Sequence, residues 1–169
     1  MLPQLDWAVQ HNKFAAIVLN PNCSTDPRTG DRVRLSESMQ NHTLYVYDKF
    51  IKDAGFKNLL FIAHSAGGGC MMRLLDKYPQ NIMATAKSIA FTDTGPVMKR
   101  MVGVDMHKWM EKTAVHYMAC NEPLGQIMKA SKMTACPHVS AGHSRHEYTT
   151  GVAWPEIRKQ FDASIGENN

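Results

Sequence analysis

The sequence predicts an α/β fold, a mostly parallel sheet with helices on both faces, and three observations carry that expectation. Apolar runs of strand length recur at residues 14–19, 57–63, 87–92 and 114–119, with a weaker one at 137–141. Runs that are apolar at successive positions suit strands buried on both faces, as central parallel strands are. Stretches with apolar residues every three or four positions separate most of these runs, so strand and helix alternate. The third observation is a small-residue junction, Ala63-His64-Ser65-Ala66-Gly67, between a strand and a helix. Sheets of this kind collect functional groups at the C-terminal ends of their strands.

Taken in order, residues 3–13 place Leu5, Ala8 and Val9 at helical spacing and feed the first strand, 14–19, which Asn20-Pro21-Asn22 stops. Residues 20–37 are polar, with Pro21, Pro27 and Gly30, and read as one long surface loop, functional or mobile. Leu44, Tyr47, Ile51 and Ala54 define an amphipathic helix, with Gly55 at its left-handed C-cap. The strand at 57–63 leads through the junction into a helix at 67–78, ended by Pro79. Residues 97–112 put Met98, Met101, Trp109 and Met110 on one helical face, and Pro155 opens a closing helix bearing Ile157, Phe161 and Ile165. The twelve methionines suit core filling within helices.

Length and composition narrow the function classes. A chain of 169 residues supports one ordinary core. With 44% hydrophobic and 20% charged residues it has a folded domain's composition. No run is long enough to span a membrane, and Met1 to Asp6 lacks the basic and apolar regions of a secretory leader, so a soluble, non-secreted protein is expected. The net charge is +4, with Lys and Arg dispersed, so direct nucleic-acid binding is not expected. Cys23, Cys70, Cys120 and Cys136 form no C-x-x-C pair and fit a reducing compartment. The sequons at Asn22 and Asn41 would matter only in a secreted chain.

The chemistry concentrates at the junction. A strand–Ser–helix turn with small residues two positions to either side, Ala63 and Gly67, is the setting of a nucleophile elbow, and suggests an α/β-hydrolase-like sheet. The same residues also suit a serine that merely caps a helix. A serine hydroxyl attacks only when a base takes its proton, and that base needs a carboxylate to orient it, in the chain order Ser, acid, His. His146, in the segment after the last strand, is the expected base, with His143 as runner-up. Glu122, after the fourth strand, is the preferred acid. Asp93, after the third, is the alternative, its other role being to cap the next helix. The Ala66 N–H would be an oxyanion donor. His138, His143, His146 and Cys136 match no compact zinc spacing, so neither metal nor cofactor is expected.

These residues resemble the Arb-two (Arb2) domain family. The likeness runs through Ile17-Val18-Leu19-Asn20-Pro21-Asn22, residues 37–50 with His42-Thr43-Leu44-Tyr45-Val46-Tyr47-Asp48, and Ala63-His64-Ser65-Ala66-Gly67-Gly68. It continues through Ala90-Phe91-Thr92-Asp93, Glu122-Pro123-Leu124, Cys136-Pro137-His138-Val139-Ser140-Ala141-Gly142 and Arg145-His146-Glu147. The resemblance, nearest to the animal cotranscriptional-regulator branch, implies an α/β-hydrolase-like fold retaining Ser65 and His146. It further implies a nuclear or cytoplasmic protein whose partners are Argonaute, chromatin or splicing factors. Two functions follow: a partner-binding module in silencing or cotranscriptional regulation, or a serine hydrolase acting on small acyl substrates. In this family the domain starts earlier, with strands that include one ending in a His-Gly turn that supplies the second oxyanion N–H. On that reading residues 1–169 are a single domain incomplete at its N-terminus.

Overall fold

The computed structural model describes residues 2–10, 14–95, 103–129 and 134–166. Helix α1 (Leu2–Gln10) is followed, after the long loop, by α2 (Met39–Phe50). Strand β1 (Leu59–His64), helices α3 (Gly67–Lys77) and α4 (Pro79–Thr85), and strand β2 (Ala86–Thr92) come next. Helix α5 (Val104–Thr113), β3 (Ala114–Met118), β4 (His138–Ser140), a 3₁₀ turn (His146–Tyr148), α6 (Thr149–Val152) and α7 (Trp154–Gly166) complete the order.

The four strands form one parallel sheet in the order β1-β2-β3-β4, with His64 opposite Thr92, Phe91 opposite His116 and His116 opposite His138. Successive side chains of a strand face opposite ways, and β2 shows it. Ile89 and Phe91 enter a core with Leu44, Tyr47, Leu75, Ile82 and Met110, from α2 to α5. Ala90, between them, enters a second core with Trp7, Tyr117, Ile157 and Phe161, from α1, β3 and α7. Helices therefore cover both faces, as the sequence predicts. Ile89, Phe91 and Ile157 are each fully buried, worth about 1.5–3 kcal/mol apiece relative to exposure.

Local chemistry sets the helix ends. The Ser38 side chain accepts the Asn41 N–H at 3.1 Å and caps α2. Pro79 does more than end a helix. Tyr78, at φ −130°, breaks α3, and Pro79 then occupies the first turn of α4, where its missing N–H costs nothing. Gly55 has the expected left-handed φ of +78°, but α2 ends earlier, at Ile51, whose N–H returns to the Tyr47 carbonyl.

One strand expectation fails. Residues 14–19 pair with no strand among the described residues, and Ile17 and Val18 are 45% and 53% exposed. Apolar, β-branched residues suit a pleated surface, but a strand also needs a neighbour to take its backbone hydrogen bonds, and none of the described strands lies beside this segment. The loop at 20–37 is held by one antiparallel bridge, Thr25 to Arg32. Met98 and Met101, expected on a helical face, lie outside the described residues; the described helix there, α5, buries Met110. Among the described residues no helix is long and apolar enough to cross a membrane.

Candidate active site

β1 stops at His64 and the chain turns sharply at Ser65, whose φ is +52°. Its N–H donates to the Thr92 carbonyl at 3.1 Å, one step beyond the last strand pair, and its carbonyl accepts from Gly68 at 3.0 Å. An L-residue in the left-handed region costs about 1–2 kcal/mol, so the contacts on either side must impose it. Sequence reasoning places the need for small residues at Ala63 and Gly67. The tighter site is Gly68. A Cβ there would lie 2.6 Å from Thr94 Cβ, whereas one on Gly67 would meet Ala63 at an ordinary 3.9 Å. The first turn of α3 is thus pressed against the end of β2.

That strand end carries a candidate acid. Asp93 also has a positive φ, +47°, and its N–H donates to the Tyr117 carbonyl at 2.8 Å. Its Oδ1 accepts the Ala119 N–H at 3.1 Å, and its Oδ2 lies 2.6 Å from His146 Nδ1. Burial pushes the Asp93 carboxyl up, but the hydrogen bonds from His146 and from the Ala119 N–H outweigh it and hold the group below the usual value. The next residue, Thr94, donates its N–H to Nε2 of the buried His116 at 3.2 Å.

His146 opens the 3₁₀ turn, its carbonyl taking the Thr149 hydroxyl at 2.8 Å. With Nδ1 on Asp93, Nε2 has no hydrogen-bond partner among the described residues. The other candidates lie elsewhere. Glu122 is exposed; its turn is held by its backbone carbonyl, which accepts from Ser140 Oγ at 2.7 Å, and among the described residues its carboxylate has no hydrogen-bond partner. The structure therefore brings Asp93, the alternative acid, to His146 and leaves Glu122, the preferred one, apart. His143 accepts the Arg145 N–H at 3.0 Å and packs edge-on to Tyr148. His138 is buried in β4, edge-on to His116 at 4.8 Å, and burial, then His138, push His116 down to about 4. Burial pushes the Cys136 thiol up to about 12, the reverse of what a metal-binding thiolate needs. Among the described residues no three His, Cys, Asp or Glu side chains cluster as a metal site would.

Among the described residues neither the Ser65 hydroxyl nor the Ala66 N–H has a hydrogen-bond partner. A free hydroxyl on a strained turn, a free N–H beside it and an Asp-oriented imidazole are the parts that acyl transfer uses. Sequence reasoning missed His64, whose ring packs tilted against His146 at 4.5 Å between centroids, and Thr92, which holds His64. The one available signal was position: His64 is the strand-end residue beside the serine. A cleft of about 480 Å³, lined by Lys87, Trp109, Lys112 and Gln160 among others, lies instead at the opposite, N-terminal ends of β2 and β3.

Comparison with known proteins adds a family. The Arb2 domain matches residues 3–124, a span that holds Ser65, Asp93 and Glu122 and stops short of His146. The mouse "Cotranscriptional regulator ARB2A" is 32% identical over 130 residues, 76% of this chain and 31% of that protein, and the human protein of the same name shows the same figures. The Dictyostelium discoideum "Cotranscriptional regulator ARB2A homolog" is 28% identical over 185 residues, covering 90% of this chain and 48% of its own. The chain thus spans about a third of the length of the mouse, human, Xenopus tropicalis and Gallus gallus ARB2A relatives, 31–33%. No solved structure matches the chain.

Proposed function

The chain belongs to the Arb2 domain family, and from that premise we propose that it acts in cotranscriptional regulation as a partner-binding module, in the nucleus. The observation that carries this reading is the shared description of its relatives as cotranscriptional regulators. The partner classes that the resemblance suggests are Argonaute, chromatin and splicing proteins. Residues 1–169 are read as part of a single domain of this family. The test is affinity capture from nuclear extract with the domain at the relatives' full length, against a surface-scrambled control. Selective enrichment of those classes is the expected result; equal recovery by the control would end the reading.

A second reading has its own observation. Asp93 Oδ2 stands 2.6 Å from His146 Nδ1, and Ser65 sits on a left-handed turn as a nucleophile elbow requires. This supports a serine hydrolase acting on small acyl substrates, in which Ser65 attacks, His146 takes its proton, Asp93 orients His146 and the Ala66 N–H steadies the oxyanion. Fluorophosphonate labelling tests it. Labelling that depends on Ser65, His146 and Asp93, and not on Glu122, is expected; no labelling of a folded full-length domain would refute it.

A further inference from the structure

A single hydrogen bond fixes one edge of a ring and leaves its plane free. His146 meets Asp93 through one contact at 2.6 Å, and about half of its side chain, 49%, is exposed. The imidazole therefore needs a second hold, and the only ring packed against it among the described residues is His64, tilted, with centroids 4.5 Å apart and planes 36° apart.

His64 is itself anchored. Its Nδ1 lies 3.0 Å from the Thr92 carbonyl and 3.3 Å from Thr92 Oγ1. A carbonyl oxygen only accepts, so Nδ1 carries the hydrogen and donates it. Burial, and the charge that His146 carries when protonated, both push the His64 imidazole down, so it stays neutral and can lie against a charged neighbour. Thr92 directly precedes Asp93, and its hydroxyl meets the Thr150 hydroxyl at 2.6 Å, in the helix that follows the His146 turn. Edge and face of His146 are thus both referred to adjacent residues at the end of β2.

We propose that His64 is a positioning residue: anchored on Thr92, it covers one face of His146 and keeps the Nδ1 edge of that ring on Asp93. The purpose of this placement rests on the serine-hydrolase reading, but the placement can be measured without turnover. Aromatic pairs of this geometry shift a two-state orientation by about two- to tenfold.

The readout is the tautomer of His146, from ring ¹⁵N shifts of the labelled chain under alkaline conditions where ordinary imidazoles are neutral. Asp93 holds the proton on Nδ1. In His64→Ala the share of His146 carrying its proton on Nε2 should rise about two- to tenfold, with the backbone spectrum of a folded chain. His64→Phe, which keeps a flat face, should restore the parent value; His64→Gln, which keeps a donor for Thr92 but has no ring, should not. Should His64→Ala fail to fold, the Phe and Gln variants decide alone. An unchanged tautomer in His64→Ala, or equal values in the Phe and Gln variants, overturns the proposal. Fluorophosphonate labelling read on the same samples separates the two ideas. A tautomer response without labelling of the parent removes the hydrolase reading and leaves the placement standing. Labelling without a tautomer response removes the placement.

Discussion

Gly68→Ala probes the contact on which the Ser65 turn rests. The added Cβ would lie 2.6 Å from Thr94 Cβ, 2.8 Å from its Cγ2 and 3.0 Å from its Oγ1. Thr94 cannot give way easily: it is 9% exposed, its N–H is held by His116 and its hydroxyl donates to the Gly95 carbonyl. The nearest atom is a Cβ, which no rotamer change moves. Overpacking of this kind costs about 1–3 kcal/mol, and the gain from replacing glycine in a helix returns about 0.5–1. The expected net loss is about 1–2 kcal/mol, a fall in Tm of about 2–8 °C for a chain of this size. The assay is a double-mutant cycle by thermal unfolding with Thr94→Gly, which removes all three crowding atoms. In that background Gly68→Ala should be neutral or stabilising, a coupling of about 2 kcal/mol, within the range for residues in contact. The same cost in both backgrounds would refute the close approach of α3 to β2.

Three further outcomes follow from the same geometry. Ser65→Gly should be more stable than Ser65→Ala by about 1 kcal/mol, because only glycine relieves a φ of +52°; chemical denaturation compares them, and equal stability would show that the turn is unstrained. Gly142→Ala should cost about 2 kcal/mol or more, since φ is +72° and the new Cβ would lie 2.9 Å from Leu124 Cβ and 3.2 Å from its Cα; a Tm within a degree of the parent would count against this packing. Asp93 has a lowered pKa in the fold, so its contribution to stability is full above its unfolded value and is lost as pH falls through the folded one. Asp93→Asn should thus be less stable than the parent by about 1–2 kcal/mol near neutrality, the modest figure reflecting partial exposure, and the gap should close at acid pH; a gap that stays constant down to the acid limit would contradict the assignment.

What was legible in the sequence followed from physics that acts locally. Strands β1, β2 and β3 announce themselves because strands buried on both faces must be apolar along their length, and turn residues bound them. The run at 14–19 has the same look, but being a strand depends on a partner that no local pattern specifies. Pro79 stops one helix and starts another, since the residue type that cannot continue a helix is also suited to its first turn. Ser65 and His146 were readable as candidates from order and position. The choice between Asp93 and Glu122 was not, because both satisfy the order Ser, acid, His. Only the fold shows which carboxylate meets His146: a left-handed φ at Asp93 and an Ala119 N–H on one oxygen leave the other 2.6 Å from His146 Nδ1. His64 and the Thr94–His116 contact were hidden for the same reason: they join residues 28 and 22 apart in the chain, across neighbouring strands.

The end of β2 and the turn after β4 bring Asp93 and His146 together, Oδ2 lying 2.6 Å from Nδ1. The most direct measurement is the His146 tautomer from ring ¹⁵N shifts in Asp93→Ala and Glu122→Ala. The parent and Glu122→Ala keep the proton on Nδ1, while Asp93→Ala releases His146 to the Nε2–H form. A proton that stays on Nδ1 without Asp93, or leaves it without Glu122, would contradict the account.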